Sequence, residues 1–103
     1  MNKLIMENKE EIKIVFNIDT KQSNAIFNNE IIGECEFEIN DSIWYITHTG
    51  VRPEFGGRGI AKLLVKSVIE EARKRNIKIV PICSYAQKMI LNNEEYSDIL
   101  AKR

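Results

Sequence analysis

From residue 12 onward apolar and polar positions alternate. Ile12, Ile14, Phe16 and Ile18 fall at every second place, with Lys13 and Asn17 between them. A period of two is the mark of a strand with one buried face, and it predicts a strand over 12–18. Asp19-Thr20-Lys21-Gln22-Ser23-Asn24 reads as a turn, and Ala25-Ile26-Phe27 as a second short strand ending at Asn28-Asn29. Cys35, Phe37 and Ile39 then alternate with Glu34, Glu36 and Glu38, which makes one strand face apolar and the other acidic. Asn40-Asp41-Ser42 turns the chain into 43–51. That run is β-branched and aromatic, and apolar on both faces at its start, so it is expected to be an interior strand antiparallel to its predecessor.

The period changes after residue 59. Ile60, Leu63, Leu64, Val68, Ile69 and Ala72 recur at steps of three and four, opposite Lys62, Lys66, Glu70, Arg73 and Lys74. This is an amphipathic helix with a natural stop at Asn76. A short apolar strand, 78–83, follows. Strand, helix and strand in this order make a parallel crossover, so 78–83 belongs beside 43–51. Pro81 has no N–H, which interrupts pairing on one side. Ser84 stands where a cap for a last helix over 85–91 is expected, and 94–102 has room for one or two further turns. The expected class is α+β: an antiparallel meander leading into one βαβ unit and a C-terminal helical segment. With 103 residues, no linker and no repeat, the chain reads as one domain over 1–103, its first ten residues poorly ordered.

Composition narrows the function. Fifteen basic residues balance fifteen acidic ones, which disfavours nucleic acid as a partner. Cys35 and Cys83 stand far apart without metal-ligand spacing, and read as free thiols of a reducing compartment. No apolar run is long enough for a signal peptide or a membrane span. The expected location is cytoplasmic, with no membrane partner and no metal.

The segment joining the central strand to the helix is Pro53-Glu54-Phe55-Gly56-Gly57-Arg58-Gly59-Ile60-Ala61. Glycines there let the backbone approach an anion, and the helix N-terminus points its positive dipole at the same place. Such a loop also serves as a plain turn, but its position between strand and helix favours phosphate. It lacks the Gly-Lys-Ser/Thr of a nucleotide P-loop and the full spacing of a dinucleotide fingerprint.

Val51-Arg52-Pro53 with the glycine loop resembles the acetyl-CoA pyrophosphate loop of GNAT-type N-acetyltransferases, whose signature is Gln/Arg-x-x-Gly-x-Gly/Ala after a Val-x-Pro. Gly59 and Ala61 fall on the small-residue positions, whereas Gly56 stands where the family has Gln or Arg. His48-Thr49, Val80-Pro81-Ile82-Cys83-Ser84-Tyr85 and Asn93-Glu94-Glu95-Tyr96 are similar to a subgroup of about this length, so the resemblance covers roughly 16–100. It implies a minimal GNAT-like fold in which strands 43–51 and 78–83 splay apart to admit a thioester. It also implies acetyl-CoA or coenzyme A as the cofactor. Amides of Gly57, Arg58, Gly59, Ile60 and Ala61 would hold the pyrophosphate, Val51 would pair with the pantetheine arm, and Gly56 and Ser84 would border the cofactor.

Four residues are candidates for the chemistry. Under the resemblance Cys83 meets the thioester, where a thiolate can accept the acetyl group; equally, it is a small buried hydrophobe. His48, the single histidine, is either a general base or a structural hydrogen-bonder. Tyr85 and Tyr96 are both available to protonate the departing thiolate, or to pack by their rings. Glu34, Glu36 and Glu38 read as a solvated strand face. The expected function is transfer of an acetyl group to an amine or thiol acceptor, directly or through Cys83. The alternative is a non-catalytic CoA-binding module. The chain has no room for the extra helices and strands that build the acceptor pocket in larger relatives, and a homodimer is one way to complete it.

Overall fold

The computed structural model describes residues 11–101. The expectation about the first ten residues lies outside that range. Five strands form one sheet in sequence order: β1 (Lys13–Asn17), β2 (Gln22–Phe27), β3 (Glu30–Asn40), β4 (Ile43–Val51) and β5 (Lys78–Pro81). The first four pair antiparallel, and β5 runs parallel to β4 from Ile43↔Lys78 to Ile46↔Pro81. Helix α1 (Ile60–Lys74) crosses between them and α2 (Ser84–Ile90) follows β5. The α+β architecture expected from the sequence is the one observed.

Several boundaries differ. β2 begins three residues earlier than expected, because Gln22, Ser23 and Asn24 pair with both neighbours. Ser23 is tolerated there because its buried hydroxyl donates to the Leu64 carbonyl at 2.8 Å, a partner that only the fold supplies. β3 starts at Glu30, immediately after Asn28 and Asn29, whose φ values of 52° and 66° are those of a primed hairpin turn. β5 ends at Pro81, short of the expected Cys83, since the N–H groups of Ile82 and Cys83 both converge on the Ile46 carbonyl. Cys83 takes the N-cap of α2 in place of Ser84, its Sγ accepting from Ala86 N at 3.4 Å. Ile39, expected in the core, is 43% exposed, as it lies at the turn end of β3.

α1 packs one face onto the sheet. It buries Ile60, Leu64, Val65, Val68, Ile69 and Ala72 against Ala25, Ile32, Phe37, Trp44, Ile46 and Ile79. Each fully buried Leu, Ile or Val stabilises by about 1.5–3 kcal/mol, before the entropy of ordering is set against it. Gly33 makes the close approach possible: a Cβ there would lie 3.2 Å from Leu64 Cδ1 and from the Gly50 carbonyl. The helix ends as Asn76 turns to φ 59° and Ile77 N donates back to the Ala72 carbonyl at 2.8 Å. Beyond α2, a 3-10 turn at Glu94–Tyr96 leads back to β5, where Ile79 N donates to Ile99 O and Ala101 N donates to Ile79 O. Arg73 fastens this segment, forking onto Asp98 at 2.8 and 3.0 Å. Those hydrogen bonds hold the Asp98 carboxyl below its ordinary range.

One irregularity decides what faces the site. Along β3 and β4, Glu36 opposes His48 but Phe37 opposes Ile46, leaving Thr47 as an extra residue. This β-bulge reverses the alternation of β4. Trp44 and Ile46 point into the core on one side of it, and Thr49 points the same way beyond it, opposite Cys35.

Candidate functional site

β4 outruns its parallel partner. Pairing with β5 stops at Ile46, yet β4 continues to Val51, held from there on by β3 alone. The ladder between the two strands therefore stops before the carboxyl end of β4, the end at which open α/β sheets bind ligands. Val51 pairs with Gly33, and the Arg52 amide donates to Ile32 O at 2.8 Å. That carries the chain through the 3-10 turn Pro53–Phe55 into the glycine loop.

The three loop glycines are not equivalent. Gly56 is extended, at φ −66° and ψ 155°, a conformation open to any residue, and its amide donates to Pro53 O at 3.0 Å. Gly57 and Gly59 both sit at φ 78°, in the left-handed region, and a Cβ on either would meet nothing within 4 Å. Space therefore lies open above the backbone at both places. Gly59 is the N-cap of α1 and has no side-chain cap. Among the described residues, no hydrogen bond engages the amides from Gly57 to Ala61. A row of unpartnered N–H groups at a helix N-terminus, with glycine-bare space above it, fits a pyrophosphate. The Arg58 guanidinium lies over the Phe55 ring, 5.2 Å from its centroid, and Phe55 packs edge-on against Phe27. Arg52 pairs with Glu30 at 3.2 Å.

Both thiols lie beside Thr49. Thr49 Oγ1 lies 3.4 Å from Cys83 Sγ, where either atom can be the donor, and 3.7 Å from Cys35 Sγ, to which it can donate. Cys35 is wholly buried, and burial pushes its thiol up to about 12. Cys83 is partly exposed, and both cysteines are free.

The other candidates lie elsewhere. The bulge turns His48 to the opposite face of the sheet, where Nε2 is 2.9 Å from Glu34 Oε2, beside Glu36. Gly50 makes room for that pair, since a Cβ there would stand 2.9 Å from the carboxylate and 3.0 Å from the imidazole. Tyr96 is buried under Arg73, whose guanidinium is 5.6 Å from the ring centroid, and burial raises its phenol. Arg73 stands thirteen residues beyond Ile60 in α1, about 20 Å along the helix from the glycine loop. Tyr85, 37% exposed, follows Ser84 in the first turn of α2, beside the Cys83 cap. The structure thus brings Val51, the glycine loop, Cys83 and Ser84 to the carboxyl ends of β4 and β5. It sets His48 and Tyr96 apart from the Cys83–Thr49 contact. Thr49 is the site residue that reading by period two missed, because an unbroken alternation puts His48 on its face. Among the described residues, no three His, Cys, Asp or Glu side chains are grouped to hold a metal ion. No helix among them is long and apolar enough to cross a membrane.

Comparison with known proteins agrees with this geometry. A solution structure of a GCN5-like protein from Staphylococcus aureus is similar over 92% of this chain and 91% of its own, at 31% identity and a TM-score of 0.68. A GNAT family acetyltransferase from Elizabethkingia anophelis, solved with acetyl-CoA bound, matches 77% of this chain at 26% identity and a TM-score of 0.54. The match spans 48% of that longer protein. No curated protein matches significantly. The family description GCN5-related N-acetyl-transferase fits residues 23–99, which is most of the sheet, the glycine loop, both helices and Cys83. The chain belongs to the GCN5-related N-acetyltransferase family.

Proposed function

We propose that this protein binds acetyl-CoA and moves its acetyl group, through the Cys83 sulfur, to an amine or thiol acceptor. The observation that supports the reading best is the occurrence of three features at one end of the sheet. These are the unpaired edge of β4 beyond Ile46, the free amides of Gly57 to Ala61, and a partly exposed thiol at the carboxyl end of β5. The loop amides bind the pyrophosphate, and the free β4 edge up to Val51 is available to the amide groups of a pantetheine arm, as a sheet edge is to an added strand.

In the first step Cys83 Sγ attacks the thioester carbonyl carbon. A sulfur–acyl bond forms as the bond to the coenzyme sulfur breaks, and the proton of the Cys83 thiol ends on the coenzyme thiol. In the second step the acceptor nitrogen or sulfur takes the acyl group and its proton returns to Cys83. Ser84 and Tyr85 follow this sulfur in the chain, in the first turn of α2. With Glu34 as its partner across the sheet, His48 belongs to a second route, direct attack by an amine from the acidic face.

Intact mass after incubation with acetyl-CoA tests the reading. The expected result is a gain of one acetyl group that Cys83→Ser abolishes, together with a higher melting temperature in coenzyme A. No stabilisation by coenzyme A at millimolar concentration refutes the binding site. Stabilisation without any adduct refutes the covalent route and leaves direct transfer or a CoA-binding module.

A further inference from the structure

Thr49 stands between two sulfurs with a single hydroxyl proton to offer. Its Oγ1 is 3.4 Å from Cys83 Sγ and 3.7 Å from Cys35 Sγ. The three side chains come from three elements: Cys35 from β3, Thr49 from β4 and Cys83 from the cap of α2. They meet only because the Thr47 bulge turns Thr49 toward Cys35 and away from the face of Glu34 and Glu36. A threonine hydroxyl donates once and accepts twice. Its one proton can therefore go to Cys35 Sγ or to Cys83 Sγ, and of the two thiols only Cys83 can donate to Oγ1.

The two sulfurs differ in what they need. Cys35 is buried, and desolvation raises its thiol to about 12; the Thr49 hydrogen bond opposes the rise, and Cys83, Glu36 and Glu34 add smaller contributions to it. It keeps its proton at neutral pH, and its sulfur accepts from the Thr49 hydroxyl rather than donating to it. Cys83 Sγ is partly exposed and already accepts from Ala86 N at 3.4 Å. A thiolate there takes a second donor if the Thr49 hydroxyl turns to it.

We infer that Thr49 is the positioning residue of Cys83: its hydroxyl holds the sulfur beside β4 and donates to the thiolate, turning to it from the Cys35 sulfur. The inference rests on the proposed role of Cys83 but is separable from it. It concerns how readily the sulfur reacts, whatever electrophile arrives. Thr49 touches no substrate atom and acts through Cys83 alone.

Alkylation by iodoacetamide reads this directly, without acetyl-CoA. The intact protein is treated from pH 6 to pH 10, and digestion followed by mass spectrometry separates Cys83 from Cys35. Thr49→Val keeps the side-chain shape and removes the hydroxyl. It is expected to slow Cys83 alkylation at pH 7.5 by about tenfold, the effect of one hydrogen bond to a charged atom. The two rates should converge at alkaline pH, and Thr49→Ser should restore the wild-type profile. Cys35→Ala, which leaves the hydroxyl proton free for Cys83, should alkylate within about twofold of wild type. A wild-type pH–rate profile in Thr49→Val overturns the inference. So does a tenfold loss in Cys35→Ala, which places the effect in packing around Cys35. If Thr49→Val fails to fold, the serine and alanine variants still decide, because a slow Thr49→Ser with fast Cys35→Ala also contradicts it. An acetyl adduct that never forms, beside alkylation that depends on Thr49, refutes the proposed transfer and leaves this inference intact.

Discussion

The glycine loop allows a comparison in which three neighbouring residues of one type respond differently. Gly57 and Gly59 are both at φ 78° with open space where a Cβ would go, so alanine at either place meets no atom and costs only backbone strain. The left-handed region costs an L-residue about 1–2 kcal/mol. Against this, alanine narrows the unfolded ensemble and recovers about 0.4–1 kcal/mol. The net loss is about 0.5–1.5 kcal/mol for each, and in a domain of this size that lowers Tm by about 3–10 °C. Gly56→Ala is the internal control. Gly56 is already extended at φ −66°, and its Cβ would press only on Pro53 O, at 3.2 Å. A shift of a few tenths of an ångström relieves that contact, and the unfolded-state gain offsets it, so the variant should stay within about 0.5 kcal/mol of wild type. The assay is thermal unfolding of the three single variants, followed by circular dichroism. Equal destabilisation at all three positions, or an unperturbed Gly59→Ala, would refute the conformational argument and with it the loop geometry on which the pyrophosphate site depends.

Three other outcomes follow from particular contacts. Gly56→Gln supplies the side chain that the family pattern has at this place, on backbone that accepts any residue. Coenzyme A affinity by titration calorimetry should rise about tenfold through one added hydrogen bond to phosphate, and unchanged affinity would count against the assigned loop register. Ser23→Ala removes the buried 2.8 Å hydrogen bond to Leu64 O and should cost about 1 kcal/mol in urea unfolding, a loss that Ser23→Thr, with its extra methyl in a filled site, does not repair. Cys35 has its folded pKa raised from 9.0 to about 12, so burying it as a neutral thiol contributes fully below pH 9, and that contribution fades as pH climbs toward 12. The urea midpoint of wild type should therefore fall more steeply above pH 9 than that of Cys35→Ala, and parallel curves would contradict the burial argument.

Much of the candidate site was legible in the chain. The glycine loop is a local device, and its signals lie within nine consecutive residues, between a strand of period two and a helix of period near four. The same holds for α1, whose apolar stripe and Asn76 stop are read directly from spacing. Boundaries set by distant partners were not legible. Ser23 looks like turn material until Leu64 O is found above it. Cys83 looks like the end of a strand until its amide turns onto Ile46 O and its sulfur caps α2.

The sequence by itself determined the α+β class, the order of strands and helices, the glycine loop between strand and helix, and a thiol just beyond β5. These depend on periodicity and on residues adjacent in the chain, where local sterics and hydrogen-bonding choices dominate. The tertiary structure alone decided which neighbour of that thiol it meets. One extra residue at Thr47 reverses the side-chain alternation of β4, sending His48 out to Glu34 and Thr49 in to Cys35 and Cys83. A bulge is a matter of register between two strands. The alternation of either strand read alone contains no trace of it, because the pairing that creates it joins residues a dozen positions apart.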